Sequence, residues 1–245
     1  MNIVMPMAGR GSRFFEVGVS VPKPLIQVRG VPMYAWAMAS LPLELANRVV
    51  FVCLAEHLEK LSLADDIRTR YRHLNVEIIA LDHVTRGQAE TVLIAKKWID
   101  SAESLLIFNA DTFMRSDLGT RLSALPPTTA GLLSVFQAPG DHWSFARTDA
   151  SGRVLETAEK RRISPWASNG LYYFAHGYDF VTHAEAMIRD DQRERDEFYV
   201  APVYNRLIQT GAEVVIDVAH EVWGLGTPAE LANFEAMYRG PTPSL

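Results

Sequence analysis

Cysteine is nearly absent: Cys53 stands alone among 245 residues, so the chain cannot close a disulfide on itself. It sits inside the apolar run RVVFVCLA with no basic neighbour to activate it, and reads as a buried strand residue in a reducing compartment. Long hydrophobic runs are missing too, since nothing approaches the roughly eighteen apolar residues that a membrane-crossing helix needs. The first residues lack the basic start and apolar stretch of a secretory leader, and the expectation is a cytoplasmic protein. Positive charge is in deficit: Lys and Arg number 24 against 29 Asp and Glu, for a net charge of −5. That balance argues against nucleic acid or an anionic membrane as partner. The 7 histidines show no metal-ligand spacing. With no Gly-, Ser- or Pro-rich linker, no repeat and no low-complexity tract, residues 1–245 read as one composite domain.

What is present is an ordinary globular composition, 48% hydrophobic and 22% charged, able to bury a sizeable core. NIVMP, RVVFVCLA, VEIIAL and SLLIFNAD are short β-rich runs, separated by helical patterns in PMYAWAMASL, EHLEKLSLADDIRTRYR and QAETVLIAKKWI. This β-α-β order predicts a Rossmann-like α/β fold, a mixed but mainly parallel sheet with helices on both faces. Such sheets bind ligands at the carboxyl ends of their strands. From about residue 130 the runs TAGLLSVF, SFARTD, RVLETAE and GLYYF follow closely, with turn signals at PGD and DASG, and predict an antiparallel hairpin insertion. Helices are expected over 178–188 and 201–209, a strand at EVVIDV, and a last helix from Pro228. The charged run RDDQRERDE reads as a solvated loop.

The scarce positive charge is concentrated near the start. Residues 1–30 carry Arg10, Arg13, Lys23 and Arg29 against one acid, Glu16. Most of these lie in MAGRGSRFFEVGVSVPKPL, directly after the first predicted strand. This loop lacks the G-x-x-x-x-G-K-[ST] spacing of a P-loop, and Phe14 stands where G-x-G-x-x-G requires its third glycine. What remains is a turn whose Gly9 and Gly11 let backbone N–H groups approach an anion, followed by Arg13 and Lys23. An arginine forks onto phosphate oxygens, and a lysine is a compact charge for one developing negative centre. A bare glycine turn with solvated cations would look the same.

Spacing separates the two readings. AGRGSRF…PKPLIQVRGVPM resembles the signature of the sugar-1-phosphate nucleotidyltransferases, the nucleoside-diphosphate-sugar pyrophosphorylases: G-x-G-[ST]-R, a variable gap, P-K-P-L, then G-x-P-[ML]. The resemblance implies a GT-A-like fold, with an NTP-binding part at 1–125 and an acceptor-binding part at 126–245. By position, Ala8, Gly9, Gly11, Ser12 and Arg13 then hold the nucleoside triphosphate, and Lys23 lies against the α-phosphate under attack. The eight-residue gap from Phe14 to Val21 is longer than in many members, which suggests a subfamily. This branch is similar to one associated with surface polysaccharide biosynthesis, some of whose members activate phosphorylated compounds that are not sugars.

Further matches extend the resemblance along the chain. TRGQAETVLIAK is similar to the segment that contacts the base, and implies Gly87 and Ala89 as nucleotide-binding. Asp82 stands where thymidine- and uridine-using members often place a glutamine. A carboxylate only accepts hydrogen bonds, so it would favour a base presenting an amino group, and hence CTP or GTP. LLIFNADTF is a strand ending in a carboxylate, and implies Asp111 as the Mg²⁺ ligand, with Asn109 beside the substrate. ETAEKRRISPWASNGLYYF resembles E-K-P…GIY-F, which implies Glu159 on the acceptor's hydroxyls, Lys160 on its phosphate, and Asn169 and Gly170 closing the pocket. Trp143 and Ser144 fall where the family packs a substrate loop.

One departure concerns the metal. Many members have D-x-G-T-P, whose aspartate is a second ligand, and this chain has Gly224 there. Either Asp217 or Glu221 compensates, or Asp111 suffices alone, or the site is impaired. The expected reaction is Mg²⁺-dependent transfer of NMP from an NTP to a phosphorylated small molecule, first of all a sugar 1-phosphate, with release of pyrophosphate. A homo-oligomer is compatible with this reading. A glycosyltransferase of related fold would usually carry D-x-D, where this chain has NAD. A non-catalytic nucleotide-binding regulatory module is the remaining alternative, supported by Gly224 and opposed by the intact set Arg13, Lys23, Asp111 and Lys160.

Overall fold

Short runs that are apolar on both sides must be covered on both faces, and the strands of the first half are. The computed structural model describes residues 1–60 and 62–243. Nine strands form its main sheet. They are β1 (Asn2–Met7), β2 (Arg48–Leu54), β3 (Val76–Leu81), β4 (Leu105–Phe108), β5 (Thr129–Gln137), β6 (Ser144–Thr148), β7 (Val154–Glu159), β8 (Trp166–Phe174) and β9 (Glu213–Val218). The order is β7-β6-β8-β4-β1-β2-β3, with β5 beside β8 and β9 beside β5. Strands β4, β1, β2 and β3 run parallel. Strand β8 is antiparallel to β4 and β5, and β6 and β7 form the antiparallel hairpin expected from the sequence.

Alternation along the strands divides the core. Ile3, Met5, Val49, Phe51, Cys53, Leu106 and Phe108 face one cluster, with the helices Met33–Met38, Leu63–Arg70 and Pro228–Met237. Val4, Val50, Val52, Leu105 and Ile107 face the other, with Gln88–Leu93, Gly177–Arg189 and Val203–Gln209. Period-two patterning thus produces a Rossmann-like sheet with helices on both faces. Burial pushes the Cys53 thiol up to about 12, so it is a protonated packing residue.

Several helices are shorter than their patterns suggest. EHLEKLSLADDIRTRYR forms Ala55–Lys60 and Leu63–Arg70, and QAETVLIAKKWI forms Gln88–Leu93 and Lys96–Ile99. The second break falls at Ala95, whose ψ of 8° leaves helical geometry while Ala95 and Ile99 both stay in the core. A ribbon absent from the sequence reading pairs Thr112–Arg115 with Glu221–Gly224. Trp36, Phe113, Trp223, Phe234 and Tyr238 pack edge-on and stacked around it and fasten the last helix to the end of β4. Among the described residues no helix is long and apolar enough to cross a membrane.

Candidate active site

A cleft of about 710 Å³ opens beyond the carboxyl ends of β1 and β4. Its floor comes from a discontinuity in the sheet. Strand β8 pairs with β4 only along Leu171–Phe174, then runs past the end of β4 and meets β6 at Ala167. The pairing of β8 with β5 is irregular between Ser168 and Tyr172, and there Gly170 adopts a φ of 88°. A Cβ on Gly170 would lie within 2.1 Å of the Asn109 side-chain amide, so the strands can close here only over a glycine. Ser168, Asn169, Gly170 and Asn109 consequently line the cleft together.

Lys23 and Asp111 meet at its centre. Asp111 follows β4, and Lys23 begins a short 3-10 turn after Pro22. The Lys23 ammonium donates to Asp111 Oδ2 at 2.7 Å, with the two side chains 25% and 23% exposed. Gly11 holds the loop against this lysine: its φ is 66°, and a Cβ on it would lie 3.0 Å from Lys23 Cβ. Phe14, which breaks the dinucleotide fingerprint, is buried in the core and anchors the turn, donating its N–H to the Gly11 carbonyl at 2.9 Å. Ala8 and Gly9 line the cleft, while Ser12 and Arg13 are exposed beyond its wall. In the long gap, Phe15, Val17 and Val21 are exposed.

One side of the cleft is built from Val84 to Gln88. Gly87 has φ 145° and ψ 173°, and Ala89 is buried behind it, its N–H donating to the Phe198 carbonyl at 2.9 Å. Gln88 donates its side-chain amide to Asn109 Oδ1, linking this segment to the end of β4. Asp82 is exposed and lies outside the cleft wall.

The opposite side is acidic and aromatic. Glu159 is 8% exposed, and its Oε2 accepts from the Ser144 hydroxyl. Burial raises the Glu159 pKa; the Ser144 hydrogen bond and the Lys160 charge oppose the rise, and Glu194 and Glu197 add to it. Lys160, in left-handed conformation at φ 49°, stands behind the wall and donates to the Tyr199 hydroxyl, which does line the cleft. Trp143, Tyr172 and His142 complete this side.

Of the residues singled out in the sequence, Ala8, Gly9, Lys23, Gly87, Asn109, Asp111, Ser144, Glu159, Asn169 and Gly170 line one cleft. The two carboxylates considered as replacements at the metal do not join them. Asp217 is half-buried on β9 near Arg121, His220 and Asp117, and Glu221 faces Arg115 at 3.7 Å and accepts from Trp223 Nε1. The run RDDQRERDE is largely exposed, as a solvated loop would be, yet its last residues Asp196 and Glu197 belong to the cleft wall. Nothing local in the sequence marks them, because the next residue, Phe198, carries them there by its backbone hydrogen bonds to Arg86 and Ala89. Among the described residues no group of three or more His, Cys, Asp or Glu is placed to hold a metal ion.

The model of one family, described as nucleotidyl transferase, matches residues 2–233. Among solved structures, the chain is similar to a nucleoside-diphosphate-sugar pyrophosphorylase from Vibrio cholerae RC9. That likeness has 31% identity and a TM-score of 0.82, covering 96% of this chain and 100% of the other. A protein from Bacillus anthracis in complex with sucrose, provisionally assigned as a glucose-1-phosphate thymidylyltransferase, has 15% identity and a TM-score of 0.81 over 100% of this chain and 98% of its own. The inositol-1-phosphate CTP transferase of T. maritima shares 15% identity and a TM-score of 0.73 over 94% of this chain and 90% of its own. The last two likenesses concern the fold alone. None of the curated proteins matches the chain in sequence.

Proposed function

The chain belongs to the nucleotidyl transferase family and is a nucleotidyltransferase of phosphorylated small molecules; on that premise we propose that it transfers NMP from an NTP to a sugar 1-phosphate and releases pyrophosphate. The observation that carries this reading is the Lys23–Asp111 pair in the middle of a cleft, with a backbone-lined nucleotide side and a carboxylate-lined acceptor side.

An oxygen of the acceptor phosphate attacks the α-phosphorus in line; the bond to the bridging oxygen breaks and pyrophosphate departs with the electron pair. Catalysis then consists of positioning two anions and compensating the charge between them. Lys23 exchanges its bond to Asp111 for one to the α-phosphate. The backbone amides of the Gly9–Arg13 loop take the β- and γ-phosphates, and Arg13 reaches them from beyond the cleft wall. Lys160 leaves the Tyr199 hydroxyl and reaches the acceptor phosphate from behind the wall, and Glu159 takes the acceptor's hydroxyls, while Asn169 holds the floor, its amide donating to Ser134 and its Oδ1 accepting from the Leu171 N–H. The donor set suits Mg²⁺, since a carboxylate beside the triphosphate position provides the hard oxygen ligand this ion selects. When bound, the ion neutralises triphosphate charge and orients the phosphates.

A phosphorylated acceptor other than a sugar is the second reading, favoured by Asp196 and Glu197. They add two negative charges beside Glu159, which suit an acceptor carrying a cationic group better than a neutral polyol. Incubation of the protein with Mg²⁺, each common NTP and a panel of sugar and non-sugar phosphates, read by pyrophosphate release, tests the proposal. Release with no combination sinks it. Because Asp82 lies off the cleft wall, the base is read by Val84–Gln88 instead, and Asp82→Asn leaves the order of NTP preference in this panel unchanged. A reordered preference would return base recognition to Asp82.

The burial of Glu159 also gives a pH dependence. Its raised pKa means that it holds its proton to higher pH than an ordinary glutamate, so the charged acceptor of hydrogen bonds forms only above that raised value. KM for the phosphorylated acceptor is expected to fall as pH rises through it, while KM for the NTP stays level. Glu159→Gln flattens this acceptor profile. A profile that persists in the variant assigns the titration to another group.

A further inference from the structure

Gly224 opens the run GLGTPAEL, at the position where the resembling family places its second metal aspartate. The space such a side chain would fill is already taken. A Cβ built on Gly224 would lie 2.9 Å from Glu230 Oε1 and 3.0 Å from Glu230 Cδ. A Cβ built on Gly226 would lie 2.7 Å from Asp111 Oδ2 and 3.6 Å from Glu230 Oε2. The Asp111 and Glu230 carboxylates therefore border the same small volume, kept open by two residues without side chains. We propose that Glu230 supplies the second carboxylate of the Mg²⁺ site, reaching from the last helix into the place that a side chain at 224 would occupy. The proposal rests on the reading of Asp111 as the first ligand.

The backbone holds Glu230 in this position. Gly224 pairs across the ribbon with Thr112, the residue after Asp111, and the Leu225 N–H donates to the Asp111 carbonyl at 2.8 Å. The chain then turns into the helix Pro228–Met237 at Thr227, whose hydroxyl accepts the Glu230 N–H at 3.2 Å. Phe234, one turn further on, is buried against Trp36, Trp223 and Tyr238. Glu230 thus projects from a helix end that is tied both to Asp111 and to the core.

Helix capping does not account for the whole side chain. In a capping box the glutamate reaches back to the backbone N–H of the capping residue. Here Oε2 accepts from the Thr227 hydroxyl at 3.0 Å, and among the described residues Oε1 accepts no hydrogen bond and faces no Lys or Arg in salt-bridge range. Mg²⁺ is commonly held by one or two carboxylates with water and substrate phosphates, and Asp111 with Glu230 stays within that number. Glycine at 224 is compatible with this arrangement, since the Glu230 carboxylate lies where a side chain at 224 would begin.

Mn²⁺ binding to the full-length protein, followed by electron paramagnetic resonance, tests this without turnover. Wild type is expected to bind the ion and Asp111→Asn to lose it. Glu230→Gln, which keeps the length and the Thr227 contact, weakens binding roughly tenfold or more, as loss of a metal-supporting group does. In the double variant Gly224→Asp, Glu230→Ala, which empties the space that residue 230 fills, the carboxylate returns to 224, and most of the affinity returns with it. A capping role alone would not produce that recovery, and thermal melting checks that all variants are folded. If Glu230→Gln binds Mn²⁺ like wild type while Asp111→Asn does not, the proposal is overturned and the Asp111 reading stands. A loss in Glu230→Gln that the double variant leaves unrecovered overturns the claim that Glu230 stands in for residue 224. Mn²⁺ binding that is absent from wild type, or retained by Asp111→Asn, overturns both.

Discussion

Lys23→Ala is expected to slow pyrophosphate release by roughly 10³-fold, the upper end of what removal of one preorganised charge donor costs at a reacting centre. The loss should fall on kcat, because negative charge grows on the transferring phosphoryl oxygens only as the transition state is reached. The fold should persist. The Lys23–Asp111 pair is about a quarter exposed on both sides, and such pairs contribute only ~1 kcal/mol or less. Asp111→Ala is expected to cause a loss of the same order, since it removes the carboxylate beside the triphosphate. A steady-state comparison with matched thermal melts decides the matter. A Lys23→Ala enzyme with wild-type kcat and only a raised KM would reduce the lysine to a binding group, and full activity in Asp111→Ala would remove the metal assignment.

Gly87→Ala is expected to carry a large stability cost. Its φ of 145° and ψ of 173° lie in a region open essentially to glycine alone, where another residue is strained by ~1–3 kcal/mol. The added Cβ would stand 2.4 Å from the Phe198 nitrogen and 2.5 Å from its carbonyl oxygen, and these are backbone atoms that cannot rotate away. Overpacking of this kind costs a further ~1–3 kcal/mol. Together they predict a loss of about 3 kcal/mol or more, a large part of the ~5–15 kcal/mol that holds a domain folded, and a melting temperature lower by roughly 6–12 °C. The damage should also reach the site. Phe198 donates its N–H to the Arg86 carbonyl and accepts from Ala89, so separating the two segments displaces Thr85–Gln88 and Asp196–Glu197, both of which line the cleft. An unchanged melting temperature in Gly87→Ala would show that the junction opens without cost.

What could be read along the chain were features written locally. Alternating apolar residues in β1, β2 and β4 specify which side of a strand meets which core, and the β-α-β order specifies a mainly parallel sheet with its ligand edge at Gly9 and Asp111. A glycine turn after one strand and a carboxylate after another are likewise local. Lys23 and Asp111, separated by 88 residues, were therefore both singled out in advance and meet at 2.7 Å. Lys160 and Arg13 were singled out on the same kind of signal, and stand behind or beyond the cleft wall rather than in it.

Other features have no local signature, because they depend on which loops the packing brings together. Asp82 and Gly87 are close in sequence, but the chain leaves β3 with Asp82 turned to solvent before Val84 reaches the cleft. Asp196 and Glu197 lie in a run whose composition reports solvation, and two backbone hydrogen bonds at Phe198 make them cleft residues. Gly224 reads as a missing ligand, and only the path from the ribbon into the last helix sets the Glu230 carboxylate against the same volume. The sequence by itself determined the sheet, its two faces and the edge where the cleft opens, because side-chain period and strand ends are properties of neighbouring residues. Tertiary structure alone decided which carboxylates share the site, because a carboxylate's place depends on how distant backbone segments close over glycines that leave no side chain in the way.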